Sequence, residues 1–156
     1  SLFESDFDKV KAKAVAIARR LAENVAAAPE LASLEPASMD PYLEDIVRRE
    51  GSIQLLAITN PDGFRIATIY AQHGEKALFR NLLNKDFKKH EWFTEVIRTG
   101  EPYYSDLFFS KYTKRLVITA ALPIAAADGT IRAVIDIDFR FDELTKLINT
   151  LPVVDA

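Results

Sequence analysis

The chain has 156 residues, 49% apolar and 28% charged, enough to bury one core and read as a single domain over residues 1–156. Twenty Lys+Arg against 23 Asp+Glu leave a formal charge of −3, which excludes a global basic field for nucleic acid or an anionic membrane surface. Cysteine is absent, which excludes disulfides, thiolate metal sites and cysteine nucleophiles.

The first segment places Phe3, Phe7, Val10, Ala14, Ile17 and Leu21 at alternating spacings of four and three, the stripe of an amphipathic helix. From about residue 3 to 28 it would run roughly 39 Å at ~1.5 Å per residue, more than a domain of this size needs. The stripe has two uses: packing on the chain's own sheet, or pairing with another helix. We assign the first half to stalk or homodimer contacts and the second half to the core.

Pro29 and Pro36 break the chain, and SMDPYLEDIVRREG then predicts a second helix with Ser38 or Asp40 as N-cap, Pro41 in the first turn and a stop at Gly51. SIQLLAIT and FRIATIYA, joined by NPDG, read as a hairpin. Residues 72–89 have no clean period, although ALFRNLL would make a helical turn or two. His90 to Arg98 forms a short helix with Trp92, Phe93, Val96 and Ile97 on its apolar side, ending at Gly100. Strands follow at PYYSDLFFS, KRLVITAALPI and TIRAVIDIDFR, with KYTK and AADG as turns, and a terminal helix over about 140–150 ends before Pro152. The fold class is α+β: an antiparallel sheet of about five strands with helices mainly at the sequence ends.

The longest apolar run, Leu116 to Ala127, contains Pro123 and falls short of the ~18 residues of a membrane span. Any membrane attachment is therefore expected through segments outside this chain. The start lacks both Met and a signal-like apolar core, so a piece of a longer protein is expected.

Candidate site residues cluster between Asp86 and Lys111. Lys88, Lys89 and His90 precede Trp92; Tyr103 and Tyr104 open the next strand with side chains on opposite faces; Lys111 and Tyr112 sit at the following turn. Either these groups line an aromatic concavity, whose excess of cations favours a small organic anion, or they are a solvated helix start above core aromatics. In TIRAVIDIDFR, alternation puts Ile131, Ala133, Ile135, Ile137 and Phe139 on one face and Arg132, Val134, Asp136, Asp138 and Arg140 on the other. Two aspartates ~7 Å apart on one strand face suit acid/base work, a bound amine or cation, or ion pairs with Arg132 and Arg140. No phosphate loop, HExxH, nucleophile elbow or Ser/His/Asp set is present, and His73 and His90 are too few for a metal cage; a haem would need one of them as axial ligand. Neither an enzyme nor a cofactor or metal is expected.

The element order, with EWFTEVIRTGEPYYSD, KRLVITAALPI and GTIRAVIDIDFRFDEL, resembles the Cache sensor domains, also called PDC domains, extracytoplasmic relatives of PAS domains in bacterial receptors. The resemblance covers nearly the whole chain and fits a single-Cache unit. It implies a PAS-like sheet with a long N-terminal helix from a membrane span packed on one face, and a small-molecule pocket on the other. It further implies a periplasmic or extracellular sensing domain of a histidine kinase, chemoreceptor or cyclic-dinucleotide enzyme, signalling through its terminal helices.

In members that bind amino acids, an Arg two positions before the Trp grips a carboxylate and a Tyr follows the Trp; here those positions hold His90 and Phe93. An imidazole has at most two N–H donors, where guanidinium has a permanent bidentate fork. By the same resemblance Lys88 takes a position that is often basic, and Asp138 holds the closing-strand Asp that can meet a ligand amine. The expected ligand contacts are thus Lys88, His90, Trp92, Tyr103, Tyr104, Lys111, Asp136 and Asp138. Two alternatives stand beside this: a dimerisation module with a vestigial pocket, and a cytoplasmic PAS-like domain.

Overall fold

A computed structural model describes residues 5–70, 85–111 and 113–149. Phe3, the ALFRNLL stretch, His73, Tyr112 and Pro152 lie outside the described residues. Helix α1 (Asp6–Ala26) starts at a capping box: the Asp8 N–H donates to Ser5 Oγ at 3.1 Å, and the Ser5 N–H to the Asp8 carboxylate at 3.4 Å. Its buried line is Ala14, Ala18, Ala22 and Val25, with Ile17 and Leu21 half-buried beside it. Methyl-sized side chains bring the helix backbone close to the sheet. At the start of α1, Phe7 stays 54% exposed.

A 3₁₀ turn (Pro29–Leu31) leads to helix α2 (Pro36–Arg49). The N-cap is Glu35, with Pro36 in the first turn, where a missing N–H is tolerated. Ser38, Asp40 and Pro41 therefore lie inside the helix, not at its start as the sequence predicts. Strands β1 (Ile53–Thr59), β2 (Arg65–Tyr70), β3 (Tyr103–Tyr104), β4 (Phe108–Phe109), β5 (Leu116–Ala125) and β6 (Ile131–Arg140) form one antiparallel sheet in the order β2-β1-β6-β5-β3, with β4 also on β5. Helix α3 (Glu91–Thr99) ends at Gly100, which takes φ +70° as a C-terminal cap. Helix α4 (Phe141–Leu147) follows β6 directly.

The sheet separates two cores. On one face, α1, α2 and α4 cover Leu56, Ile58, Ile118, Leu122, Ile135, Ile137 and Phe139. On the other, Phe93 and Val96 of α3 pack on Ala121 and Val134. A bulge between Ile124 and Ala125 reverses the start of β6 relative to the alternation expected from sequence. Ile131 consequently joins the α3 side, and the Arg132 guanidinium donates to the Ala32 carbonyl.

The β1–β2 turn positions the approach to α3. Asn60 Oδ1 accepts from the N–H groups of Asp62 and Phe64, both at 3.0 Å, and Gly63 adopts φ +93°. A Cβ on Gly63 would lie 2.8 Å from the Lys88 Cβ, so glycine is needed for contact as well as for conformation. The Phe87 N–H donates to the Gly63 carbonyl at 2.7 Å and the Arg65 N–H to the Lys85 carbonyl at 3.1 Å. These bonds fix Phe87 above the start of β2.

Candidate functional site

The α3 face of the sheet carries a polar strip between small residues. Asp136 lies opposite Ala57 on β1 and Ala121 on β5, and Ala121 in turn lies opposite Tyr103. One pair further along, Asp138 faces Leu55 and Thr119. Alanines flanking Asp136 leave the space above it to longer side chains from elsewhere.

Arg65 fills part of that space. Its Nη1 donates to Asp136 Oδ1 at 2.5 Å, and both side chains are almost fully buried, at 3% and 5% exposure. The guanidinium carbon lies 4.0 Å from the Phe87 ring centre and 5.6 Å from that of Trp92, so two aromatic faces hold its plane. Phe87, His90 and Trp92 form one cluster with centroid separations of 5.1 to 6.1 Å, and Trp92 meets Phe93 edge-on. Burial pushes the Asp136 carboxyl up from the usual range, opposed by the Arg65 charge and, more weakly, by His90.

Asp138 has no cation on it in the described contacts. Its Oδ1 accepts from the Thr119 hydroxyl at 2.7 Å. Burial, then repulsion from Asp136, raises its pKa to about 7, with Thr119 and Arg65 opposing. This is a carboxyl poised near neutrality at the rim of an aromatic-walled face.

Two further polar groups on this face are buried without a hydrogen-bond partner among the described residues: Arg65 Nε and Thr59 Oγ1. Their residues are direct cross-strand partners on β1 and β2. Leaving a buried donor unmet costs about 1–3 kcal/mol, which makes the coincidence of two informative.

The structure distributes the sequence-predicted residues unevenly. Trp92, Tyr103, Asp136 and Asp138 share the α3 face, and His90 stands at its edge as the N-cap of α3. Tyr103 is held above its usual pKa by burial and by Glu91. Tyr104 points to the opposite face, beneath α1, with the Arg19 guanidinium 5.0 Å from its ring centre; alternation predicts such a split without saying which tyrosine goes where. Lys88 is exposed, paired with Asp86 at 3.5 Å and lying over Phe64, outside the strip. Lys111 is exposed in the β4–β5 loop, where Thr113 and Ser110 bond to Gln54.

The ion pairs considered for Asp136 and Asp138 also resolve differently. Asp136 pairs with Arg65, while Arg140 donates to the Gly51 carbonyl at 3.2 Å. Arg65, Thr59 and Thr119 were not predicted. Strict alternation along FRIATIY places Arg65 with Ala67; the β1–β2 register shift at Ile58/Thr59 puts it on the other face.

No helix among the described residues is long and apolar enough to cross a membrane, and among them no group of three His, Asp or Glu is placed to hold a metal ion.

Solved structures with this fold include the ligand-binding domain of the Pseudomonas aeruginosa amino-acid chemoreceptor PctC in complex with GABA, at TM-score 0.64 and 17% identity over 92% of this chain and 60% of that one. The Campylobacter jejuni chemoreceptor Tlp3 domain with L-norvaline aligns at TM-score 0.54 and 16% identity over 88% of this chain and 53% of that one. An extracellular ligand-binding receptor from Desulfohalobium retbaense aligns at TM-score 0.58 and 10% identity, covering 92% and 27%. At these identities the likeness is one of fold. A citrate (Re)-synthase of Syntrophus aciditrophicus is 24% identical over 146 residues, which are 93% of this chain but only 23% of that protein. Residues 39–146, from within α2 to the end of α4, match the first PDC sensor domain of methyl-accepting chemotaxis protein-like receptors. Sheet order, the α3 face and this match together make the chain a member of that PDC sensor family.

Proposed function

We propose that this domain is the extracytoplasmic sensing part of a membrane signalling protein and that it binds a small organic anion, a carboxylate in particular, on the α3 face. The supporting observation is the strip itself: a buried guanidinium beside two carboxyls, one with no cation among the described residues, walled by Trp92, Phe93 and Tyr103. Small-ligand sites are built in this way, mostly apolar with a few converging polar groups. Two similar structures hold GABA and L-norvaline, molecules that each carry a carboxylate and an amine.

A thermal-shift screen of propionate, succinate, GABA, L-norvaline and simple amines tests this. A ligand at about 100 times its Kd stabilises the fold by ~2.7 kcal/mol. At least one carboxylate is expected to raise the melting temperature, and to do so less in Trp92→Ala. No shift with any of the five classes would remove the reading.

A second reading, a dimerisation module, draws on the exposure of Phe7 at 54% and of Val10 at 36% on the first turns of α1.

A further inference from the structure

We infer that Arg65 and Thr59 form the subsite that anchors the ligand's carboxylate, in place of a basic residue on α3. This rests on the carboxylate-sensing reading above and names the residues that would carry it out. Both anchoring groups lie on the sheet, on β2 and β1. Arg65 sits on β2, is 3% exposed, and is fixed on three sides: Nη1 by Asp136, and the ring faces of Phe87 and Trp92 on its plane. Its Nε–H lies on the guanidinium edge that Asp136 does not use, and it has no partner among the described residues. Thr59, its cross-strand neighbour, holds a buried hydroxyl that likewise has no partner among the described residues.

Two unmet donors on adjacent strands, one of them on a permanent cation, match the two oxygens of a carboxylate. A metal cation would be repelled by Arg65, and an ammonium group, which has only donors, would turn to the Asp136 and Asp138 carboxyls and leave the Arg65 Nε–H unmet. His90, by contrast, is an exposed imidazole whose ring is engaged with Phe87 and Trp92. The pairing of Arg65 with Asp136 also cancels a charge that would repel an anion. Asp138, held up to about 7, repels it less at and below neutral pH.

The test compares Thr59→Val, Arg65→Lys and His90→Ala by calorimetric titration with propionate, succinate, GABA and L-norvaline. Valine keeps the shape of threonine and removes a hydroxyl that has no partner, so ligand-free Thr59→Val is expected to melt at or above the wild-type temperature while losing about tenfold in affinity for the carboxylate that binds. That opposite movement of stability and binding is not produced by a residue that only packs. Arg65→Lys keeps the charge but not the fork, and is expected to lose at least as much; His90→Ala, which touches the subsite only through the Phe87 and Trp92 rings, should lose less than either. Wild-type affinity in Thr59→Val together with lost binding in His90→Ala would overturn the inference and leave the sensing reading intact. Binding of amines but of no carboxylate would overturn both.

Discussion

Asp138 shows how one residue's surroundings set a measurable property of the whole. Burial and Asp136 push its folded pKa up to about 7, above the ordinary carboxyl value of 3.8, so between these values the folded state holds a proton that the unfolded chain has released. The stability contributed by that proton is fully present below pH ~3.8 and is lost as pH rises to about 7. At 1.36 kcal/mol per pKa unit the loss is at most about 4 kcal/mol, reduced by the partial exposure of the residue. Urea denaturation from pH 4.5 to 7.5 should show a declining midpoint that Asp138→Asn flattens; an unchanged slope in the variant would place the titration elsewhere. Strand alternation put Asp136 and Asp138 on one face and split Tyr103 from Tyr104, while the choice of Trp92 came from the family resemblance and alternation left open which tyrosine faces it. Arg65 was not, because a single extra residue in a strand pairing reverses every side chain before it, and nothing in FRIATIY announces the reversal.

Helices and strands were legible where periodicity is long. The stripe of α1, the run of β6 and the Gly100 stop of α3 follow from spacing and from glycine's access to positive φ. What periodicity blurred was rotation and phase. The predicted α1 stripe ran from Ala14 to Ile17 and Leu21, whereas the line against the sheet continues from Ala14 to Ala18 and Ala22, because the closest approach of helix to sheet selects the smallest side chains, not the most apolar. Ala18→Leu should therefore destabilise by about 1–3 kcal/mol through overpacking, read as a lower denaturant midpoint at constant m. A neutral result would mean that the helix stands further from the strands than this packing requires. Likewise PYYSDLFFS gave two strands of two residues each, not one strand, since Ser105 turns its hydroxyl to the Thr119 N–H at 2.8 Å and interrupts the run.

At the scale of the molecule, α1 and α4 meet on the same side of the sheet: Phe7 lies 6.0 Å from the Phe141 ring. Homodimerisation through the exposed start of α1 remains our proposal, and Phe7→Asp should shift the domain to monomer in analytical ultracentrifugation while its circular dichroism is retained. If dimers persist, the exposed phenylalanine serves another contact. Arg140 is at once the last residue of β6 and the N-cap of α4, and Asp138 precedes it by two positions. No loop intervenes, so there is no slack in which a displacement at the polar strip could be absorbed. β1 and β5 hold β6 by hydrogen bonds on both edges over this stretch, so it cannot slip along its axis without breaking two ladders and can move only together with its neighbours. We therefore propose that a change at Asp138 reaches the first turn of the last helix with only Phe139 and Arg140 between them, so that the strand and the helix respond as one stiff lever.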